Sequence, residues 1–237
     1  MTKIHNQDCL TWIQSQPDNI FDTIITSPPY NLTGFRGVKL QRRGIWNTDG
    51  ITYNAFNDDL PESVYQEQQV SLINECLRLL KPQGSLFYNH KIRHWARKAS
   101  HPMKWILQSQ AILHQEIIWD RRNTPALDAR MLFPVDERIY WLCKDKPKVR
   151  KQRATHKKTI WSIAPETNNS HPAPFPKELA LACLTLVSDP GDRVFDPYAG
   201  SGTVLLAAQE LGLDSEGCEI DSDYCSFIKQ RLNLNYE

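Results

Sequence analysis

The 237-residue sequence lacks several features that would assign it to a functional class at once. It contains no C-x-x-C pair, and its cysteines are scattered, so it predicts neither a zinc site nor a disulfide framework. Its seven histidines show no metal-ligand spacing, so we expect no metal. No run is apolar enough to span a bilayer, and residues 1–9 lack the apolar centre of a signal peptide. We therefore expect a soluble, cytoplasmic protein.

The sequence also lacks a strong overall charge. Its formal net charge of +1 neither favours nor excludes a nucleic-acid partner. Its 41% hydrophobic and 23% charged residues fit one globular domain over residues 1–237, with a substantial core. The charge is unevenly distributed, because residues 144–158 hold eight lysines and arginines against one acid, Asp145. This basic segment predicts phosphate contacts if the protein acts on DNA.

Apolar periodicity alternates between strands and helices along the chain. The predicted strands are 21–26, 85–89, 115–119, 138–143, 193–196 and 215–220. The predicted helices are 61–80, 176–187, 202–211 and 222–232. Such alternation predicts an α/β fold with a doubly wound, mostly parallel sheet. Two long polar segments, 31–59 and 144–174, interrupt it, and we expect both to face the substrate because long loops in compact domains are usually functional.

Residues 193–203 predict a strand, a tight glycine turn and a helix start. Gly200 and Gly202 let the backbone approach a ligand at the carboxyl end of a strand, where open α/β sheets bind ligands. The turn lacks the Lys-Ser/Thr of a phosphate-binding loop, and Leu205 replaces the third glycine of a dinucleotide-binding turn. Glu219 ends the next strand and can accept hydrogen bonds from two ribose hydroxyls. The structural alternative is a tight turn followed by a helix-capping acid.

The segment Thr26-Ser27-Pro28-Pro29-Tyr30 follows an apolar strand and predicts a pocket for an amino group. The prolines fix φ and remove two N–H donors, which leaves carbonyl oxygens free to accept. The Ser27 hydroxyl and the Pro28 carbonyl could accept both N–H bonds of a base amino group. Tyr30 could stack on the base after it has been flipped out of the duplex. The alternative is a simple turn or a polyproline segment.

These two motifs resemble those of the DNA amino-methyltransferases of bacteria and phages. The matching strings are 26–30 and 195–203, and a third, 171–176, precedes the helix that lies next to the cofactor strand in this family. The catalytic string comes first, which is similar to the circularly permuted β class. The resemblance implies a Rossmann-like methyltransferase sheet of the seven-stranded type, permuted so that the cofactor half comes last. It also implies S-adenosyl-L-methionine as cofactor and DNA as substrate.

The resemblance implies roles for individual residues. Ser27, Pro28, Pro29 and Tyr30 would form the catalytic pocket. The candidate cofactor-binding residues are Asp8, Cys9, Asp196, Tyr198, Ala199, Gly200, Ser201, Gly202, Thr203 and Glu219. Because no separate recognition domain is present, sequence reading is expected from the two long segments or from a partner. The candidate DNA contacts in these segments are Arg36, Lys39, Arg42, Arg43, Trp46, Lys148, Arg150, Lys151 and Arg153.

The target base is open between cytosine N4 and adenine N6. Ser at position 27, where adenine enzymes mostly carry Asp, favours cytosine, as does the string 171–176. Cytosine C5 methylation needs a thiolate nucleophile, usually in a Pro-Cys dipeptide that this chain lacks. Methylation of RNA or of a protein amide, and an inactive DNA-binding module, are the alternatives. Beyond double-stranded DNA, the sequence leaves open a homodimer and a companion restriction endonuclease.

Overall fold

The computed structural model describes residues 1–32, 60–95, 98–123, 132–166 and 175–234. Its strands are β1 Thr2–Asn6, β2 Phe21–Thr26, β3 Leu80–His90, β4 Arg93–Trp95, β5 Lys98–Ser100, β6 Ile112–Asp120, β7 Asp136–Cys143, β8 Ile160–Ser162, β9 Arg193–Asp196 and β10 Asp214–Glu219. Its helices are α1 Cys9–Gln14, α2 Glu62–Leu79, α3 Met103–Ile106, α4 Lys177–Val187, α5 Thr203–Glu210 and α6 Ser222–Arg231. Within these ranges, no helix is both long and apolar enough to cross a membrane.

Eight of the described strands form one sheet in the order β1-β10-β9-β2-β3-β7-β6-β8, and β4 pairs with β5 in a separate hairpin. Every neighbouring pair is parallel except the two pairs made by β7, which runs antiparallel to β3 and to β6. The α/β class and the mostly parallel sheet expected from the sequence are therefore confirmed. The sheet has eight strands and not seven, because the short strand β8 pairs with β6.

Apolar side chains cover both faces of the sheet because successive residues of a strand point to opposite sides. In β2, Ile24 contributes to a core with residues of α1, α2 and α3, whereas Ile25 contributes to a core with residues of α4 and α5. Both isoleucines are fully buried. This burial on two faces explains why the apolar residues of β2 do not alternate strictly with polar ones in the sequence.

The sequence predicted the central elements better than those at the periphery. The strands β2 and β9 have the predicted bounds, whereas β3 begins at Leu80, immediately after α2 ends at Leu79. The strand β1 was not predicted, because the segment is polar and none of its residues is buried. Its pairing with β10 depends on backbone hydrogen bonds, which side-chain patterns do not reveal.

Candidate active site

One edge of the sheet gathers the two sequence motifs. The parallel strands β2, β3, β9 and β10 all end at this edge, and the antiparallel strand β7 begins there. Ser27 therefore lies next to the end of β3, and Glu137 enters the same region from the start of β7. This carboxyl edge is where ligands bind in open α/β sheets.

The side chains of the Ser-Pro-Pro-Tyr string are held in a hydrogen-bonded network. The Tyr30 hydroxyl donates to Glu137 Oε2 at 2.9 Å and lies 3.1 Å from Ser27 Oγ. Asn89 Nδ2, at the end of β3, lies 2.7 Å from the Tyr30 hydroxyl, 3.0 Å from Glu137 Oε2 and 3.2 Å from Ser27 Oγ. Arg121 donates to Glu137 Oε1 at 2.9 Å. Burial, followed by the nearby Glu137 carboxylate, raises the pKa of Tyr30, so its hydroxyl stays protonated.

The backbone carbonyls of the same string differ in their partners. The Pro29 oxygen accepts a hydrogen bond from the Tyr65 hydroxyl at 2.9 Å, and the Tyr30 oxygen accepts one from Arg93 at 3.2 Å. No hydrogen bond from the described residues reaches the Pro28 carbonyl oxygen. Neighbouring residues thus fix the two carbonyl groups that follow Pro28, whose own carbonyl is the one expected to accept from a base.

The Tyr30 ring packs against His90, with 4.4 Å between the ring centroids and a tilt of 36°. The Lys91 ammonium lies 5.4 Å from the Tyr30 centroid. Burial lowers the pKa of His90 well below its usual value, so the imidazole is neutral near pH 7. These contacts restrain the ring, and its stacking on a flipped base stays a prediction.

The glycine turn between β9 and α5 has the backbone geometry that its composition predicts. Gly200 and Gly202 have φ values of +52° and +76°, in the left-handed region. A Cβ at Gly202 would lie 2.9 Å from Ile228 Cγ1, so this glycine also allows α6 to pack against the turn. The Gly200 amide donates to Glu219 Oε2 at 2.9 Å, and the Asp221 amide donates to Oε1 at 2.9 Å. Glu219 thus connects the end of β10 to the turn.

The carboxylates around this turn fit the expected cofactor. Each Glu219 carboxylate oxygen accepts a hydrogen bond from one backbone amide and keeps a lone pair that can accept another from a ribose hydroxyl. Asp196 is buried, and its carboxylate accepts a hydrogen bond from the Tyr198 backbone amide at 3.0 Å. Burial raises the pKa of Asp196 to about 8, so a cationic ligand group would stabilise its ionised form. The remaining candidates in the turn, Ala199, Ser201 and Thr203, are buried.

Asp8 and Cys9 lie beside this site. The Asp8 side chain caps helix α1 by accepting the Thr11 amide at 2.9 Å. The Gln7 amide donates to the Glu219 carbonyl oxygen at 3.1 Å, which places the Asp8 turn next to the end of β10. Burial raises the pKa of Cys9 to about 12, so its thiol is not nucleophilic. The expected contact of Asp8 and Cys9 with an adenine stays a prediction.

The basic segment differs from our expectation that it faces the substrate. It is hydrogen-bonded to residues at the amino end of the sheet. The Lys148 backbone amide donates to Gln83 O at 2.9 Å, and the Lys144 side chain donates through Nζ to Asn19 Oδ1 at 2.6 Å. Lys148, Arg150 and Arg153 form ion pairs with Asp189, which precedes β9, and Lys148 also pairs with Asp192. This edge is opposite to that of Ser27 and Gly200. The first-segment candidates Arg36, Lys39, Arg42, Arg43 and Trp46 lie outside the described residues.

Sequence reasoning missed Asn89, Arg121 and Glu137. Asn89 and Glu137 are buried polar residues at the ends of apolar strands, and such residues are usually hydrogen-bonded. A polar residue at the end of an apolar strand was the only sign of them in the sequence. The two residues are 48 positions apart in the chain and meet only through the antiparallel pairing of β3 and β7. The described ranges contain no group of three His, Cys, Asp or Glu residues able to hold a metal.

Fold and site together define a class, the Rossmann-like methyltransferases that use S-adenosyl-L-methionine on amino groups. The family model described as DNA methylase, which represents the N6/N4 methylases, matches residues 21–230. The chain belongs to this family. It is therefore an S-adenosyl-L-methionine-dependent DNA amino-methyltransferase.

Several curated proteins are similar over nearly the whole chain. The type II methyltransferase M.BglII of Bacillus subtilis is 25% identical, with 98% of this chain and 69% of M.BglII covered. M.SmaI of Serratia marcescens is 28% identical over 97% of this chain and 90% of its own length. M.BamHI of Bacillus amyloliquefaciens is also 28% identical, but this chain spans only 56% of it.

Solved structures share the fold. The PvuII DNA methyltransferase, described as cytosine-N4-specific, superposes with a TM-score of 0.75 at 19% identity, covering 100% of this chain and 88% of the other. TTHA0409 of Thermus thermophilus, complexed with S-adenosyl-L-methionine, superposes with a TM-score of 0.72 at 22% identity. The superposition covers 98% of this chain and 93% of TTHA0409. At these identities, the superpositions show the fold alone.

Proposed function

We propose that this enzyme methylates N4 of cytosine at a short specific DNA sequence, as the modifying partner of a restriction endonuclease. The observation that carries the proposal is that the Ser27 hydroxyl is followed in the chain by a Pro28 carbonyl that accepts no hydrogen bond from the described residues. Ser27 and the cytosine-N4 specificity of the PvuII enzyme favour cytosine over adenine. The endonuclease partner is proposed because the curated relatives are type II methyltransferases.

The proposed pocket answers a chemical difficulty of amino methylation. The lone pair of a base amino nitrogen is delocalised into the ring, so the nitrogen is a poor nucleophile. Acceptance of its two N–H bonds by Ser27 Oγ and Pro28 O favours a tetrahedral nitrogen with an available lone pair. Acceptors placed where charge develops in the transition state are among the largest contributions to catalysis. Bound S-adenosyl-L-methionine supplies the electrophilic methyl group.

On the cofactor side, we propose that Glu219 holds the ribose hydroxyls and that Asp196, Gly200 and Gly202 hold the methionine part. Support comes from the lone pairs left on Glu219 and from the buried Asp196 carboxyl, which a cation would ionise. We also propose the circular permutation of the β class. Its support is the order of the motifs, with Ser27 early and the glycine turn near the end of the sequence.

Adenine N6 is the second candidate, because its amino group requires the same two acceptors. The deciding experiment supplies labelled cofactor with DNA, RNA and protein, and then separates the hydrolysed products. We expect label in DNA as N4-methylcytosine. Label confined to N6-methyladenine would overturn the choice of base, and label in RNA or protein would overturn DNA as the substrate.

For the DNA path, we propose that the cations of the segment 31–59 carry more of the phosphate contact than those of 144–158. The support is that Lys148, Arg150 and Arg153 already have acidic partners at the opposite edge. Neutralising Arg36, Lys39, Arg42 and Arg43 should reduce the log–log salt slope of DNA binding by about 0.9 per lost contact. Neutralising Lys148, Arg150, Lys151 and Arg153 is the matched comparison, and an equal fall in slope there would contradict this assignment.

A further inference from the structure

The network behind the base pocket ends in a buried carboxylate. Glu137 and Asn89 are only 6% and 2% exposed, and Glu137 Oε2 receives the Tyr30 hydroxyl at 2.9 Å. Arg121 approaches the other oxygen, Oε1, at 2.9 Å and compensates the charge. The described residues thus place an ion pair two hydrogen bonds away from the Ser27 oxygen that would meet the base.

A carboxylate accepts hydrogen bonds and cannot donate them, so it fixes the direction of the others. The Tyr30 hydroxyl has one hydrogen, and the charged acceptor Glu137 takes it. The Tyr30 oxygen is then an acceptor, and the Ser27 hydroxyl, 3.1 Å away, donates to it. With its hydrogen directed at Tyr30, Ser27 Oγ only accepts from its other partners: Asn89 Nδ2 donates to it at 3.2 Å, and one lone pair is left for the base.

We propose that Glu137 sets the hydrogen-bond direction of the base pocket, so that Ser27 accepts from an amino base and disfavours a keto base. Cytosine and adenine carry N–H donors at the position in question, whereas thymine and guanine carry carbonyl oxygens. Glu137 is a positioning residue in this role, since it acts on the base through Tyr30 and Ser27. The inference rests on the proposed base pocket.

Replacement by glutamine should reverse the direction with little change in shape. In Glu137→Gln, only the amide oxygen can face the Arg121 guanidinium, because both nitrogen groups are donors. The amide nitrogen then faces the Tyr30 oxygen and donates to it. Asn89 Nδ2, which donates to Glu137 Oε2 at 3.0 Å in the wild type, loses this acceptor and keeps Tyr30 and Ser27 as its acceptors. Tyr30 in turn donates to Ser27, and Ser27 directs its hydrogen at the base.

The experiment measures the affinity of the purified enzyme for its recognition duplex with an amino or a keto base at the target position. The pair is cytosine and uracil, or adenine and hypoxanthine if adenine is the target. The keto base forms a mismatch and is flipped out of the duplex more easily than the paired amino base. This difference in flipping cost is the same for every enzyme variant. The ratio of the affinities for the amino and keto duplexes is therefore compared between variants, so that the flipping cost cancels. We expect Glu137→Gln to shift this ratio by about tenfold or more towards the keto base.

The matched control is Glu116→Gln, which removes a carboxylate from the ion pair of Glu116 with Arg138 outside this network. It should leave the ratio unchanged. Tyr30→Phe breaks the same chain without changing a charge and should also abolish the preference, which keeps the inference testable if Glu137→Gln fails to fold. Folding of each variant is checked by its affinity for S-adenosyl-L-methionine.

An unchanged ratio in folded Glu137→Gln and Tyr30→Phe would overturn the inference. This outcome is distinct from failure of the proposed function, which would appear as absence of methyl transfer to DNA by the wild-type enzyme. If the wild-type enzyme methylates DNA and Glu137→Gln still prefers the amino base, the proposed function stands and only the role of Glu137 is contradicted.

Discussion

The Glu219 carboxylate accepts a hydrogen bond from the Gly200 amide at 2.9 Å, which links the end of β10 to the glycine turn after β9. The other carboxylate oxygen receives the Asp221 amide at the start of α6. One side chain therefore fixes the turn and offers lone pairs to the ribose of the cofactor.

Glu219→Ala should weaken binding of S-adenosyl-L-methionine. A hydrogen bond to a charged group contributes roughly 1.5–3 kcal/mol, so loss of one corresponds to about a tenfold to hundredfold rise in Kd. Titration calorimetry measures the change. Glu210→Ala, which removes an exposed carboxylate that pairs with Lys177, is the control and should bind normally. Normal binding by folded Glu219→Ala would rule out the ribose assignment.

The two glycines of the turn should respond differently to substitution. Gly200→Val should abolish cofactor binding, because a branched side chain would occupy the space where the ligand approaches the backbone. Gly202→Ala should mainly lower the free energy of unfolding, by about 1–3 kcal/mol, because its Cβ would lie 2.9 Å from Ile228. Gly212→Ala shares a positive φ but meets nothing within 4 Å, so it is the matched control in denaturant unfolding. If Gly202→Ala and Gly212→Ala lower the free energy of unfolding equally, the loss comes from the positive φ alone and not from the contact with Ile228.

Cofactor affinity should depend on the ionisation of Asp196. Burial raises its pKa to about 8, so it is protonated in the free enzyme at pH 6.5 and loses its proton when a cationic ligand binds. Affinity should therefore rise as the pH increases from 6 to 7.5. Calorimetry in two buffers with different ionisation enthalpies measures the released proton, and Asp196→Asn should release none through this residue. Equal proton release by both proteins would contradict the assignment.

The same shift predicts the pH dependence of stability in the free enzyme. Because Asp196 has a higher pKa folded than unfolded, the folded state binds more protons between about pH 4 and pH 8. The contribution of this residue to the free energy of unfolding should therefore fall as the pH rises through that window. Asp196→Asn should lose this dependence. Denaturant titrations at several pH values compare the two proteins, and parallel curves would show that Asp196 does not titrate.

Asp189 should show the opposite sign. Hydrogen bonds from Arg150 hold its pKa well below the usual value, and Lys148 adds to the effect. Its contribution to stability is therefore present above about pH 4 and is lost as the pH falls further. Asp189→Asn should melt at a lower temperature than wild type at pH 7, and the difference should shrink below pH 4. A difference that persists in acid would have a cause other than these ion pairs.

The sequence could predict the two halves of the candidate site because each motif is local. The strings 26–30 and 195–203 each combine a strand end with residues of unusual backbone preference, and Glu219 follows at the end of the next strand. Asn89, Arg121 and Glu137 were missed because their contacts depend on how β3, β6 and β7 pair. Local charge counting gave no sign that the acids before β9 would pair with the basic segment, since Asp189 lies 39 residues from Arg150.

Substitutions in the base pocket should separate chemistry from cofactor binding. Ser27→Ala and Tyr30→Ala should lose methyl transfer, by on the order of a hundredfold for one lost acceptor, and keep their affinity for S-adenosyl-L-methionine. The reason is that these side chains face the proposed base position and make no contact with the glycine turn among the hydrogen bonds of the described residues. If calorimetry shows that cofactor affinity falls as much as methyl transfer in these variants, the two side chains belong to the cofactor half of the site and not to the base pocket.

The most direct test is modification-sensitive sequencing of DNA from cells that express the wild-type protein or Ser27→Ala. The measurement reports the base, the position and the surrounding sequence together. We predict an amino-methylated cytosine at one short sequence with the wild-type protein and none with Ser27→Ala. The same modification in both samples, or no amino-methylated base with the wild-type protein, would contradict the central claim.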